Sequence, residues 1–141
     1  MTEILSGVHQ LQIPTPFPVG SVNGYLIEGT PLTLIDTGPF LKEALSSLKN
    51  QLSTIGYELK DIEQILLTHG HLDHTGLTNS ICSSNMERKP DVFIHQADED
   101  YIVDYEKFID TRIDSYMQVI TENGVPPEIT RFMTKERYVS Y

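Results

Sequence analysis

The run Ile62-Glu63-Gln64-Ile65-Leu66-Leu67 is apolar apart from Glu63 and Gln64, and two residues later it meets His69-Gly70-His71-Leu72-Asp73-His74. A short run of this kind belongs to a strand buried near the centre of a sheet. The chain must therefore leave that sheet with three of its 5 histidines and a carboxylate packed into six positions. Spacing carries as much as composition. His69 and His71 are two apart, so on an extended backbone both rings point to one side, and Asp73 continues the parity. On a helix the two rings would lie on nearly opposite faces. A strand end opening into a loop is the conformation that brings them together, with Gly70 allowing a tight turn and Gly76 marking entry to the next helix. Imidazole plus carboxylate is the ligand set of zinc and of other borderline divalent metals. Histidines that merely cap strand and helix ends are the plain alternative, and this ordered quartet outweighs it.

The flanking sequence reads as alternating strands and helices. Val8 to Ile13 and Val22 to Glu28 fit strands, separated by a segment holding Pro14, Pro16, Pro18 and Gly20. Gly29-Thr30-Pro31 turns the chain into Leu32-Thr33-Leu34-Ile35, a hairpin partner. Asp36-Thr37-Gly38-Pro39 then stops the strand, with Asp36 or Thr37 available to cap a helix. Leu41, Ala44, Leu45, Leu48, Leu52 and Ile55 form one face of that helix, and Gly56 ends it. A short helix is predicted over Thr75 to Ser83 and a further strand over Val92 to Ile94. A long helix is predicted from Ala97 to about Asn123, ended by Asn123-Gly124, with a last short helix from Pro126-Pro127 to about Lys135. The class is α/β (α+β), with a mixed sheet and no internal linker, so residues 1–141 read as one domain.

Charge narrows the partners. Asp and Glu outnumber Lys and Arg by 20 to 10, for a formal net charge of −10. Such a surface repels phosphate backbones, and no basic cluster offsets it, so no nucleic-acid partner is expected. Cys82 is the single cysteine, which rules out a disulfide within the chain and suits a reducing compartment. Met1 to Gln10 has no signal-peptide pattern and no apolar run approaches a membrane span, so a cytoplasmic protein without membrane contact is expected.

Thr68-His69-Gly70-His71-Leu72-Asp73-His74-Thr75-Gly76 resembles the signature of the metallo-β-lactamase-fold hydrolases. Leu34-Ile35-Asp36-Thr37-Gly38 resembles that family's first motif, and Val22-Asn23-Gly24-Tyr25-Leu26-Ile27 its early strand. The resemblance runs from Val8 to about Gln96. It implies an αββα sandwich, of which this chain would form the amino-terminal half, with helices on one face of the sheet. It also implies a dinuclear zinc site, with iron or manganese as alternatives: His69 and His71 toward the first metal, Asp73 and His74 toward the second. Asp73 would ligate metal or orient and deprotonate the water. Asp36 would hydrogen-bond and brace the metal loop rather than ligate, though helix capping is an equal reading of it.

The family completes such a site with a further His, a bridging Asp and a last His from its carboxy-terminal half. After His74 this chain offers only His95 as imidazole, at a strand end where relatives carry no ligand. The expectation is therefore a truncated domain, with one apolar sheet face exposed and self-association as one way of covering it. Cys82 reads as a buried inert thiol, the Tyr101, Tyr105 and Tyr116 stripe as packing, and His9 carries no assigned role.

The function implied is a metal-dependent hydrolase using metal-bound hydroxide on the carbonyl of a small-molecule ester or thioester, by similarity to glyoxalase-II-like members. A catalytically inert, metal-poor remnant is the competing reading, and a single-iron redox relative the third.

Overall fold

The computed structural model describes residues 1–18, 20–85, 87–104, 113, 115 and 117–126. By its internal contacts the chain divides into two compact units, Met1–Ile102 and Val103–Tyr141.

The first unit is built on a six-stranded mixed sheet in sequence order. Strands β1 (Thr2–Leu5), β2 (Val8–Ile13), β3 (Val22–Ile27) and β4 (Thr33–Ile35) run antiparallel to their neighbours. Strands β5 (Gln64–Leu66) and β6 (Asp91–Phe93) then add in parallel. The switch follows from the connections. Short turns return the chain antiparallel, whereas helix α1 (Lys42–Thr54) lies between β4 and β5 and carries the chain back to start β5 in the same direction.

Alternation decides the faces. In β2, Leu11 and Ile13 are buried while Gln12 is exposed; in β3, Leu26 is buried and Asn23 exposed. Leu26 pairs with Leu34, and Leu34 with Ile65, so a continuous apolar row crosses the sheet. Against it pack Ala44, Leu48 and Leu52 of α1, with Leu59, Ile62, Leu77 and Ile81 closing the same cluster. Each fully buried leucine contributes roughly 1.5–3 kcal/mol, so this cluster dominates the unit's stability. On the opposite face the paired row Tyr25, Ile35, Leu66 and Phe93 is half-buried at its first three positions and exposed at Phe93.

Four elements differ from the sequence reading. Strand β1 has no counterpart there: all four of its residues are exposed, so it has no hydrophobic alternation and is held by pairing with β2. Helix α1 begins at Lys42, six residues beyond Asp36, and its N-cap Leu41 makes no side-chain cap bond. Asp36 and Thr37 therefore cap nothing, because Gly38, Pro39 and Phe40 remain outside the helix. The helix expected over Thr75 to Ser83 is two short ones, α2 (Leu72–Thr75) and α3 (Thr78–Cys82), broken around Gly76. The helix expected to run unbroken from Ala97 is interrupted: a 3-10 turn (Gln96–Asp98) and helix α4 (Glu99–Val103) give way at Asp104, which is not helical.

Within the second unit, residues 113, 115 and 117–122 are helical. They end at Asn123-Gly124, where Gly124 has φ +81° and its N–H donates to the Thr121 carbonyl. The rest of the long helix and the short helix expected to about Lys135 lie outside the described residues, as do Tyr105 and Tyr116.

Candidate metal centre

Because β4 and β5 are parallel, their carboxyl ends open at the same sheet edge, the usual place for a site in a sheet of this kind. Asp36 follows β4 directly, and Thr68 follows β5 by one loop residue. Pairing continues past the strands: the Asp36 N–H donates to the Leu66 carbonyl at 3.0 Å. That contact sets the Asp36 carboxylate against the backbone leaving β5. Its Oδ1 accepts the Thr68 N–H at 2.8 Å, and its Oδ2 accepts the Thr68 hydroxyl at 2.7 Å. Oδ2 also accepts Nδ1–H of His74 at 2.8 Å. Asp36 is 3% exposed, so this carboxylate is taken from water and answered by three donors. Its φ of +55° lies in the left-handed region, which a short polar side chain such as Asp tolerates better than most.

The loop after Asp36 is stitched to the histidine segment. The Thr37 N–H and hydroxyl both donate to the His74 carbonyl, at 2.7 and 3.0 Å, and the Leu77 N–H donates to the Gly38 carbonyl at 3.1 Å. The two backbones approach so closely at Gly76 that a Cβ there would strike the Phe40 nitrogen and lie 2.8 Å from the Leu72 carbonyl oxygen. Only glycine fits this crossing.

These constraints gather three imidazoles. The ring centroids of His69 and His71 are 4.6 Å apart in an edge arrangement, and those of His69 and His74 are 4.3 Å apart and tilted. Asp73 Oδ2 lies 3.8 Å from Nε2 of His74. Thr68 Oγ1 lies 2.9 Å from Nδ1 of His69. Among the described residues, no group of three His, Cys, Asp or Glu side chains is disposed to hold a metal ion as placed. The donor chemistry nevertheless fits one. Three neutral-capable imidazoles and a carboxylate share one edge, and His74 has its Nδ1 engaged by a buried carboxylate, the arrangement that orients an imidazole for ligation through Nε2.

His95 stands apart from this group. It is exposed, and its Nδ1 accepts the Ala97 N–H at 3.1 Å, capping the 3-10 turn. Cys82 is half-buried, and burial pushes its thiol above the ordinary range. His9, for which the sequence suggested nothing, is 6% exposed and pairs through Nε2 with Glu28 at 2.9 Å. Sequence reasoning also missed Thr37 and Thr68 as partners. Thr68 stood in the sequence as the first residue of the histidine motif, a hydroxyl at the strand end with no partner indicated.

The sequence matches the profile of the metallo-beta-lactamase superfamily over residues 17–131. The chain belongs to that superfamily. The "probable metallo-hydrolase YqjP" of Bacillus subtilis (strain 168) is 42% identical over 116 residues, which cover 82% of this chain and 35% of that protein. The "beta-lactamase-like protein 2 homolog" of Caenorhabditis elegans is 32% identical over 100 residues, covering 69% of this chain and 33% of that one. A crystal structure of a metallo-beta-lactamase family protein from Thermus thermophilus superposes with a TM-score of 0.73 at 28% identity, over 92% of this chain and 43% of that one. The chain thus spans about a third of the length of the curated relatives it matches. Its mixed sheet with helices is that of the metallo-beta-lactamase fold, which implies divalent-metal binding in general terms. No helix among the described residues is long and apolar enough to cross a membrane.

Proposed function

We propose that this chain contributes His69 and His71 toward one divalent metal, and Asp73 and His74 toward a second, in a hydrolase acting on a small-molecule ester or thioester. The observation that carries the reading is the buried Asp36 carboxylate, which holds the His74 ring and the Thr68 strand end together at the edge where His69 and His71 emerge. A divalent metal bound there would lower the pKa of its water to about 7 and polarise the substrate carbonyl. The protein's own part is positional. Asp36 keeps the proton of His74 on Nδ1 and the lone pair on Nε2. Asp73, partly exposed beside His74, would accept a proton from the attacking water or ligate. Phe40 and Leu72, at 58% and 46% exposure on the two segments that cross at Gly76, are exposed apolar residues that could meet the substrate's acyl part. Zinc is the metal that suits this donor set, with iron or manganese as alternatives.

The test is zinc titration of the chain with elemental analysis, together with turnover of a chromogenic ester and a thioester. Bound metal that is lost in His71→Ala is expected, and turnover should fall with it. Failure to take up metal with zinc in excess would sink the reading. It would favour the inert alternative, which is supported by the lack of any three-residue group disposed around an ion among the described residues.

A further inference from the structure

We propose that Thr68 is a positioning residue that locks His69 in its Nδ1–H tautomer and, through Asp36, ties the orientation of His69 to that of His74. The proton count decides the tautomer. A threonine hydroxyl carries one proton and two lone pairs, and an ionised carboxylate only accepts. The 2.7 Å contact from Thr68 Oγ1 to Asp36 Oδ2 therefore uses the hydroxyl's single proton. The 2.9 Å contact between the same Oγ1 and His69 Nδ1 is left with an oxygen lone pair, so the proton in that contact must sit on Nδ1. The neutral His69 ring then has its lone pair on Nε2.

His74 reaches the same state without an intermediary, since its Nδ1–H meets Asp36 Oδ2 at 2.8 Å. One carboxylate oxygen thus ends both chains of donors. The other oxygen takes the Thr68 N–H at 2.8 Å, so Thr68 is held at backbone and side chain by the same group. That two-point hold fixes χ1 of a residue already stiff at Cβ, and with it the place of the hydroxyl facing His69.

The consequence for ligation rests on the metal-site reading above, because it is Nε2 that would face the ion. The tautomer itself does not rest on it, being a property of the chain free of metal. Removing the hydroxyl leaves Nδ1 without its acceptor and returns the ring to the Nε2–H form that free imidazole side chains prefer, which has no lone pair to offer there.

The experiment is long-range ¹H–¹⁵N NMR of the full chain, ¹⁵N-labelled, in chelator at about pH 8.5, above the ordinary imidazole range. Nδ1–H is expected at His69 in the wild type and in Thr68→Ser, and Nε2–H in Thr68→Val. Zinc affinity should fall at least about tenfold in Thr68→Val and recover in Thr68→Ser, the scale of loss when a ligand's hydrogen-bond partner is removed. An Nε2–H signal at His69 in the wild type overturns the proposal, and that measurement decides the matter even if Thr68→Val fails to fold. An unchanged tautomer in folded Thr68→Val also overturns it. If the tautomers behave as stated but no zinc binds, the positioning role stands and the hydrolase reading fails.

Discussion

Asp36 and His74 are 38 positions apart and meet at 2.8 Å through Oδ2 and Nδ1, with the carboxylate at 4% side-chain exposure and the imidazole at 21%. The contact joins the ends of two parallel connections, one leaving β4 and one following β5. It is therefore both a clasp on the fold and the contact that orients the His74 ring.

Replacing Asp36 should separate these two roles by degree. Asp36→Asn keeps a short polar side chain suited to the positive φ and one carbonyl acceptor, and should cost about 2 kcal/mol. Asp36→Ala leaves three donors facing a buried gap and should cost about 3 kcal/mol or more. Urea denaturation of both variants gives the order, and equal losses would show that the carboxylate's acceptors do not hold the clasp.

Gly76→Ala should destabilise the unit by about 1–3 kcal/mol or prevent folding, because its Cβ has no space against the Phe40 nitrogen and the Pro39 carbonyl carbon. Gly38→Ala should be comparably costly, since φ there is +87° and a Cβ would fall 2.5 Å from Ile13 Cγ2. Gly20→Ala, with nothing within 4 Å, controls for the positive φ alone. Thermal melts of the three variants should rank Gly20→Ala as the mildest.

His9 and Glu28 should respond asymmetrically. Glu28→Ala strips the partner from a buried Nε2 and should cost about 1–2 kcal/mol. His9→Leu removes that nitrogen together with Nδ1, which is buried without a hydrogen-bond partner among the described residues, and should be near neutral or stabilising. Chemical denaturation of the pair checks the sign. A large loss in His9→Leu would show that the imidazole is needed where it lies.

Cys82 should alkylate slowly. Burial is the first cause of its raised thiol pKa, with Lys89 pulling weakly the other way, so the thiolate fraction near neutral pH is below that of a free cysteine. Iodoacetamide labelling should be slower in the folded protein than in urea, and its rate should rise at higher pH than for an unfolded cysteine. The same direction sets the linkage: the folded state holds this proton more tightly. Its contribution to stability is complete below the unfolded thiol's pKa and is lost as pH rises through the folded value.

Much of the fold is legible from local pattern. The alternation of Val8 to Ile13 marks β2 to the residue, and the spacing of Leu41, Ala44, Leu48 and Leu52 marks the buried face of α1. The histidine spacing marks the cluster and, with the motif at Leu34 to Gly38, the superfamily. β1 escaped because an exposed edge strand leaves no periodic trace, and the start of α1 because a capping residue can equally serve a loop. Thr68 was visible as part of a motif, but nothing in the motif says which way its hydroxyl points.

By itself, then, the sequence determined most of the elements, the buried face of α1 and the ligand-type residues at the end of β5, since each is written in neighbours a few positions apart. Only the tertiary structure decided that Asp36 would clasp Thr68 and His74 instead of capping a helix, that Gly76 would be a crossing point, and that His9 would find Glu28. Those outcomes depend on strand register and on the parallel alignment of β4 with β5. Pairing across such separations depends on the packing of the whole sheet against α1, which no local spacing encodes.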